Sequence, residues 1–347
     1  MVTIDGSMGE GGGQIVRSAL SLALLTGKAF TLTNIRAARA LPGLRAQHLA
    51  AVNAAARISH ARVDGARIGS QQLTFKPGAI TPGRYHFDIG TAGATTLVLQ
   101  TVLLPLAMAE GPSHITITGG THVPWSPCFH YVDWHWRALL AKMGISFSLA
   151  LKRAGFYPEG GGEIEAVIPG RAHPHSIDLT RRGALRHIRG ISAVANLSVE
   201  IAERQRRQMM NRLRQLAPIA EAEIEIQSFP AYSRGTVALI VAEFDESQAC
   251  FAALGARGKR AEQVADEVMD VFAVFLQSEG AVDPWLADQI LLPLVLSNEP
   301  GRLRTSMLTQ HLSTNAQVIR HFMPVNIEIN QEETSTLVSI TAQPAGR

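Results

Sequence analysis

Asp5-Gly6-Ser7-Met8-Gly9-Glu10-Gly11-Gly12-Gly13-Gln14 stands near the start of the chain, and Gly155-Phe156-Tyr157-Pro158-Glu159-Gly160-Gly161-Gly162 near its middle. Both contain Glu-Gly-Gly-Gly. Three consecutive glycines are costly to order, because each loses more backbone freedom on folding than any other residue. A folded protein keeps such a run where the backbone needs a positive φ or passes close to another group. A tight turn would account for either run alone. The recurrence marks both as constraints.

Outward from the first run, residues 14–26 carry Ile15, Ala19, Leu22 and Leu25 with Gly27 just beyond, the pattern of an amphipathic helix with a glycine stop. A strand is expected at 30–34, a helix at 44–59, and short strands at 62–68, 73–76 and 85–89. The theme repeats with helices at 93–109 and 129–143 and strands at 115–118, 145–151 and 163–168. A third helix pair is expected at 283–297 and 310–322, with strands at 326–329 and 335–341. Three helix pairs with short strands argue for three copies of one α/β unit, although the copies are only weakly alike in sequence. Residues 181–278 differ in texture: strands at 189–195, 222–227 and 236–242, a basic helix at 199–216 and a further helix at 261–277. The expected fold is therefore α/β (α+β), with a large domain over 1–180 and 279–347 and an inserted α/β domain over 181–278.

Composition frames the function. With 347 residues, 46% hydrophobic and 18% charged, the chain can bury a large core and is not disordered. The apolar stretches at 19–25 and 97–108 are too short to span a bilayer, and Met1-Val2-Thr3-Ile4-Asp5 has no basic region leading into an apolar one, so a cytoplasmic protein is expected. Cys128 and Cys250 alone cannot build a disulfide framework, which suits a reducing compartment. A net charge of +3 permits a polyanionic partner without demanding one.

Three clusters could carry chemistry. Glu10, Arg17, Arg36, Arg39 and Gln47 gather around the first glycine run and the loop Leu41-Pro42-Gly43-Leu44. Glycine amides beside a helix N-terminus bind anions, and arginines suit phosphate oxygens; solvated surface arginines would look the same in sequence. Trp285-Leu286-Ala287-Asp288-Gln289 is followed by His311, which could be a nucleophile, a base, or a residue that only caps and packs its helix. Arg204, Arg206, Arg207, Arg212 and Arg214 ring one helix, either as a solvated face or as a groove for an RNA backbone. No P-loop or G-x-G-x-x-G fingerprint is present, and His130 with His135, or His173 with His175, lack the spacing and cysteine partners of a zinc site.

At these residues the chain resembles the RNA 3'-terminal phosphate cyclases. The likeness rests on the 5–14 string, Pro42-Gly43-Leu44 with Gln47-His48, Gly93 with Thr96-Leu97-Val98-Leu99-Gln100, and Gly119-Gly120-Thr121. It continues through the 155–162 string and Leu286-Ala287-Asp288-Gln289 to His311-Leu312 with Thr314-Asn315. The resemblance implies three repeats of a two-helix, four-stranded unit like the C-terminal domain of bacterial translation initiation factor three, interrupted by a smaller insert. It also implies ATP-dependent conversion of an RNA 3'-terminal phosphate to a 2',3'-cyclic phosphodiester, a nucleotidyl-transferring ligase reaction through a covalent histidine-AMP at His311. Trp285 with Pro127 would sandwich adenine, and Leu286, Ala287, Asp288, Gln289 and Gln100 would complete the ATP site. Glu10, Arg17, Arg36, Arg39 and Gln47 would hold the terminal phosphate, with Glu10 also at a divalent cation, magnesium or manganese. Ala154 stands where the family often has a basic residue, the basic residue of the 41–46 loop is shifted, and His130 replaces a frequent acid; these departures bear on substrate preference and metal use. The alternative implied is a non-catalytic RNA-binding or ribosome-assembly protein on the same fold, a branch that lacks the histidine retained here as His311.

Overall fold

The computed structural model describes residues 1–217 and 220–342. The chain begins with β1 (Val2–Asp5), α1 (Gln14–Thr26), β2 (Phe30–Thr33), α2 (Ala46–Ser59), β3 (Arg62–Asp64) and β4 (Leu73–Lys76). These strands form a sheet of order β1-β2-β4-β3, with β1 and β2 parallel and the remaining pairs antiparallel. A parallel pair needs a crossover, and α1 supplies it.

The pattern recurs. Next come β5 (Arg84–Asp88), α3 (Thr95–Met108) and β6 (Ser113–Gly119). A helical stretch follows, made of α4 (Phe129–Tyr131), a π-helical turn (Val132–Trp136) and α5 (Arg137–Lys142), before β7 (Ser148–Arg153) and β8 (Gly162–Ile168). The second sheet has order β5-β6-β8-β7 with the same parallel and antiparallel pairings. A third sheet opens with β9 (Asp178–Leu179), but the chain leaves it at once.

The excursion comprises β10 (Leu185–Ala195), α6 (Val199–Leu216), β11 (Glu221–Ser228), β12 (Gly235–Phe244), β13 (Gln248–Leu254) and α7 (Ala261–Gln277). Its sheet has a different order, β11-β10-β12-β13. The chain then completes the third sheet with α8 (Pro284–Leu296), β14 (Gly301–Thr305), α9 (Gln310–Phe322), β15 (Val325–Gln331) and β16 (Thr336–Ala342). The order β9-β14-β16-β15 repeats that of the first two sheets.

Burial follows from sequence. In β12, Val237 to Ala242 is an unbroken run of fully buried residues, as a strand covered on both faces requires. One face packs on α6 and α7 through Met209, Val268 and Phe272; the other joins Ile191 and Leu239 to Tyr131 and Phe156 of the second unit. Helices α3 and α8 are apolar on nearly all sides, contain Pro105 and Pro293, and lie inside the main core.

The strand expected over 62–68 stops at Asp64, because Gly65 at φ 82° turns the chain away. The helix expected from Leu44 starts at Ala46, since Arg45 is extended at φ −109° and ψ 172°. The helix expected over 129–143 contains the π turn. Four strands carry weak signals: β1 and β9 are short, β13 is rich in alanine, and β14 buries only Leu303 among large apolar side chains.

Candidate active site

The first glycine run is a close-approach device. Gly9 and Gly11 are left-handed at φ 57° and 60°. A Cβ on Gly9 would overlap Thr314 Oγ1, one on Gly12 the Glu10 carboxylate, and one on Gly13 His48 Nε2. The run therefore lets the loop between β1 and α1 press against α9 and α2. No side chain caps α1 at Gly13, which leaves first-turn N–H groups facing this loop.

Glu10 is the centre of the cluster. Its backbone N–H donates to Thr314 Oγ1 at 3.1 Å. Oε1 is paired with Arg39, while Oε2 lies 3.4 Å from His311 Nε2. That Oε2 is buried and has no hydrogen-bond partner. His311 sits in the first turn of α9, whose N-cap Thr309 accepts from the Leu312 N–H at 3.0 Å. Burial, followed by the lesser effects of Arg17 and Arg39, lowers the His311 pKa against the opposing pull of Glu10. The imidazole is accordingly kept toward its neutral, nucleophilic form.

On α1, Arg17 donates to Gln14 Oε1 at 2.7 Å, and burial lowers its pKa to about 10 despite Asp288 and Glu10 nearby. Asp288 is pushed up to about 7, chiefly by burial; Arg17 opposes the shift, while Asp283 and Glu10 reinforce it. Gln14 Nε2 reaches Asp288 Oδ2 at 3.4 Å, and Asn315 Nδ2 donates to the Asp288 carbonyl at 2.7 Å. Thus α1, α8 and α9 converge.

Arg36 has a left-handed backbone at φ 53°, and its Nη1 donates to the carbonyls of Leu41 at 2.8 Å and Gly43 at 2.9 Å. It orders the 41–43 loop as well as adding charge. Gln47 accepts from the Ala94 N–H at 3.3 Å, so its carbonyl is already engaged by the 91–94 loop.

At the other end of the site, Gln100 Nε2 donates to Gln289 Oε1 at 2.6 Å, and Gln289 Nε2 to the Trp285 carbonyl at 2.7 Å. Trp285 is 43% exposed, enough to offer part of its side chain to a ligand. Leu286 and Ala287 are both fully buried, because the helical period turns 285 and 289 outward and these two inward. Their side chains pack the core, which leaves only their backbone for any contact with a nucleotide. Pro127 is half-buried, and its carbonyl accepts from Thr96 Oγ1 at 2.7 Å.

His48 went unassigned in the sequence reading. Its Nδ1 accepts from the Arg45 N–H at 3.1 Å, which puts the proton of the neutral ring on Nε2, facing Gly13. Burial, with Arg17, Arg36 and Arg45, lowers its pKa to about 3. It is a neutral donor among arginines, and its position directly after Gln47 was the available signal.

The second glycine run behaves differently. Gly160 and Gly161 are left-handed, at φ 70° and 71°. A Cβ on Gly160 would come within 2.8 Å of Ala92 Cα, and Gly155 and Gly162 pack backbone to backbone. The run therefore braces the 91–94 loop that holds Gln47. The insert's arginines also divide: Arg204 and Arg212 pair with Glu262, Asp266 and Asp270 of α7, while Arg206, Arg207 and Arg214 line a groove beside β11. His130 bonds His122 at 3.0 Å, and His135 bonds Asp283 at 2.6 Å. Among the described residues no group of three or more His, Cys, Asp or Glu could hold a metal ion, and no helix is long and apolar enough to cross a membrane.

The family model for RNA 3'-terminal phosphate cyclase matches residues 8–329, a span that takes in every part of this cluster. The chain belongs to that family. A cyclase of this name from Methylococcus capsulatus is 45% identical, over 100% of this chain and 98% of its own length. Those from Ralstonia nicotianae and Gloeothece citriformis are 43% and 40% identical, over 98% and 97% of this chain and 96% and 98% of their own. Cyclases of this family are ligase-type enzymes. A solved enolpyruvyl transferase, NikO from Streptomyces tendae, aligns at 16% identity with a TM-score of 0.28, over 62% of this chain and 37% of its own.

Proposed function

We propose that the chain uses ATP to convert an RNA 3'-terminal phosphate to a 2',3'-cyclic phosphodiester. The neutral imidazole of His311 attacks the α-phosphorus of ATP, diphosphate leaves, and AMP is held as a histidine phosphoramidate. An oxygen of the RNA 3'-phosphate then attacks that phosphorus, freeing His311 and forming an RNA-adenylate. The adjacent 2'-hydroxyl attacks the 3'-phosphorus, loses its proton, and expels AMP. Adenylylation turns a poor leaving oxygen into a good one, the usual gain from covalent catalysis.

The observation that carries this reading is His311 facing Glu10 and Arg39 beside the uncapped start of α1, with its pKa lowered. Arg17, Arg36, Arg39, Gln47 and the His48 Nε2–H are suited to the RNA phosphate, while Trp285, Gln289, Gln100 and Asp288 are suited to the nucleotide, with Pro127 proposed as the second face of an adenine sandwich. A divalent cation fits the orphaned Glu10 Oε2: magnesium commonly takes one carboxylate and completes its shell from phosphates, and it would offset triphosphate charge. The three sheets of one strand order support three repeats akin to the C-terminal domain of initiation factor three, with residues 181–278 as an inserted domain. Two buried free cysteines suit a reducing cytoplasm.

Incubation with α-labelled ATP tests the mechanism. Acid-labile label should appear on the wild-type protein and be absent from His311→Ala and His311→Asn, since an amide nitrogen is not a nucleophile. Undiminished labelling of either variant sinks the assignment.

A further inference from the structure

Three large aromatic side chains are exposed on loops that meet at the second glycine turn. Trp125 is 99% exposed, Tyr157 68% and Tyr232 75%. Trp125 is also left-handed at φ 64°, a strained backbone for so bulky a residue, and such strain concentrates at functional sites. Solvent is a poor place for three such rings.

The loops are fastened to one another. His122, three residues before Trp125, bridges to Phe156, beside Tyr157. The Phe156 N–H donates to Ser233 Oγ at 2.8 Å, next to Tyr232. Gly161 packs on the Tyr232 ring, and the Arg153 guanidinium lies 4.3 Å from its centroid while donating to the Gly161 carbonyl at 2.6 Å. Arg234 is exposed two residues further on.

This ridge is continuous with the charged cluster. Gly160 rests against Ala92, and the same loop donates through the Ala94 N–H to Gln47. The other end of the Trp125 loop reaches Pro127, bonded to Thr96 at the start of α3. We infer that the ridge of Trp125, Tyr157 and Tyr232 is the binding surface for the single-stranded RNA that precedes the 3'-terminal nucleotide. Successive bases stack on the rings, and Arg153 and Arg234 face the backbone. This rests on the reading that the terminal phosphate sits among Arg17, Arg36 and Arg39. Stacking tolerates any base, so the surface selects single-stranded ends rather than a sequence. Arg153 already shares its charge with Glu163 at 3.7 Å, and Glu159 is exposed nearby, so rings rather than net charge carry the contact.

The test compares cyclisation of uridine 3'-monophosphate with that of a ten-nucleotide single-stranded RNA 3'-phosphate. In Trp125→Ala, Tyr157→Ala and Tyr232→Ala the KM for the oligonucleotide should rise roughly tenfold each, the scale of one lost base–aromatic stack, with kinetics on the mononucleotide unchanged. Trp125→Phe, Tyr157→Phe and Tyr232→Phe should restore it. The salt dependence of oligonucleotide binding should stay as in wild type, because no phosphate contact is removed. An unchanged oligonucleotide KM, an equal rise for both substrates, or a larger loss from Arg207→Ala in the α6 groove would overturn the inference. If wild type cyclises neither substrate, the proposed reaction fails. Fluorescence anisotropy with the same oligonucleotide then decides the ridge: affinity lost in the alanine variants upholds it, and affinity retained overturns it.

Discussion

His311 and Asp288 are both displaced from their ordinary ionisation, in directions with opposite uses. For His311, burial and two arginines outweigh Glu10, so the neutral ring persists below pH 6.5. The initial rate of self-adenylylation should therefore stay flat as pH falls through 6.5 and decline only in more acidic solution. A midpoint at or above 6.5 in that profile would contradict the assigned environment. Asp288 instead holds a proton more tightly in the folded chain, with a pKa near 7 against 3.8 in the unfolded one. Its ionisation therefore removes stability as pH rises from 3.8 to about 7, and the loss is complete above that range. Asp288→Asn should stabilise the protein by about 1–3 kcal/mol at pH 8 and have little effect near pH 4, while weakening ATP-dependent labelling. Chemical denaturation at the two pH values, paired with labelling, checks both halves.

At the scale of elements, the glycines divide into those needed for conformation and those needed for contact. Gly27 ends α1 at φ 69° with open space where a Cβ would stand. Gly13 has an unstrained φ of −75°, yet a Cβ there would overlap His48 Nε2 and stand 3.1 Å from Arg17 Nη1. Gly27→Ala should thus cost about 1–2 kcal/mol of stability with cyclisation intact. Gly13→Ala should cost about 1–3 kcal/mol through overpacking and, on the proposed function, slow cyclisation at least roughly tenfold, because it displaces two donors of the cluster proposed to hold the phosphate. Equal activity in the two variants would refute the contact role. The same contrast explains what was legible in sequence. The 3.6-residue period located α1, α6, α7 and α9 to the residue, since each has one apolar stripe. The two glycine runs look alike as strings, but what they touch depends on partners far along the chain: Thr314 for the first, Ala92 and Tyr232 for the second. Glu10 and His311 meet because α9 packs on α1, so no local pattern shows their pairing. A motif string such as 286–289 likewise does not tell which side of its helix is buried: Leu286 and Ala287 turn into the core.

For the molecule as a whole, three buried histidines are neutral in the fold. His48, at about 3, lies beside Arg17, Arg36 and Arg45. His130, at about 4, and His122, well below its ordinary value, stack on Phe156 and Phe229 where the second unit meets the excursion β10–α7. Burial is the leading cause in each. The unfolded chain takes up these protons near pH 6.5 and the folded chain does so only in stronger acid, so their contribution is present above 6.5 and is lost as pH falls toward 4 and then 3. Asp288 acts in the opposite sense over part of this window, leaving a net uptake on unfolding. Urea denaturation from pH 7 to pH 4.5 should therefore show falling stability. His130→Gln removes one titrating group but also disturbs the 3.0 Å bond to His122, so the informative quantity is the slope rather than the midpoint. That slope should shrink by up to one proton, about 1.4 kcal/mol per pH unit. Equal slopes for wild type and His130→Gln would mean that the junction admits a charged histidine, and that packing on Phe229 does not keep water from it.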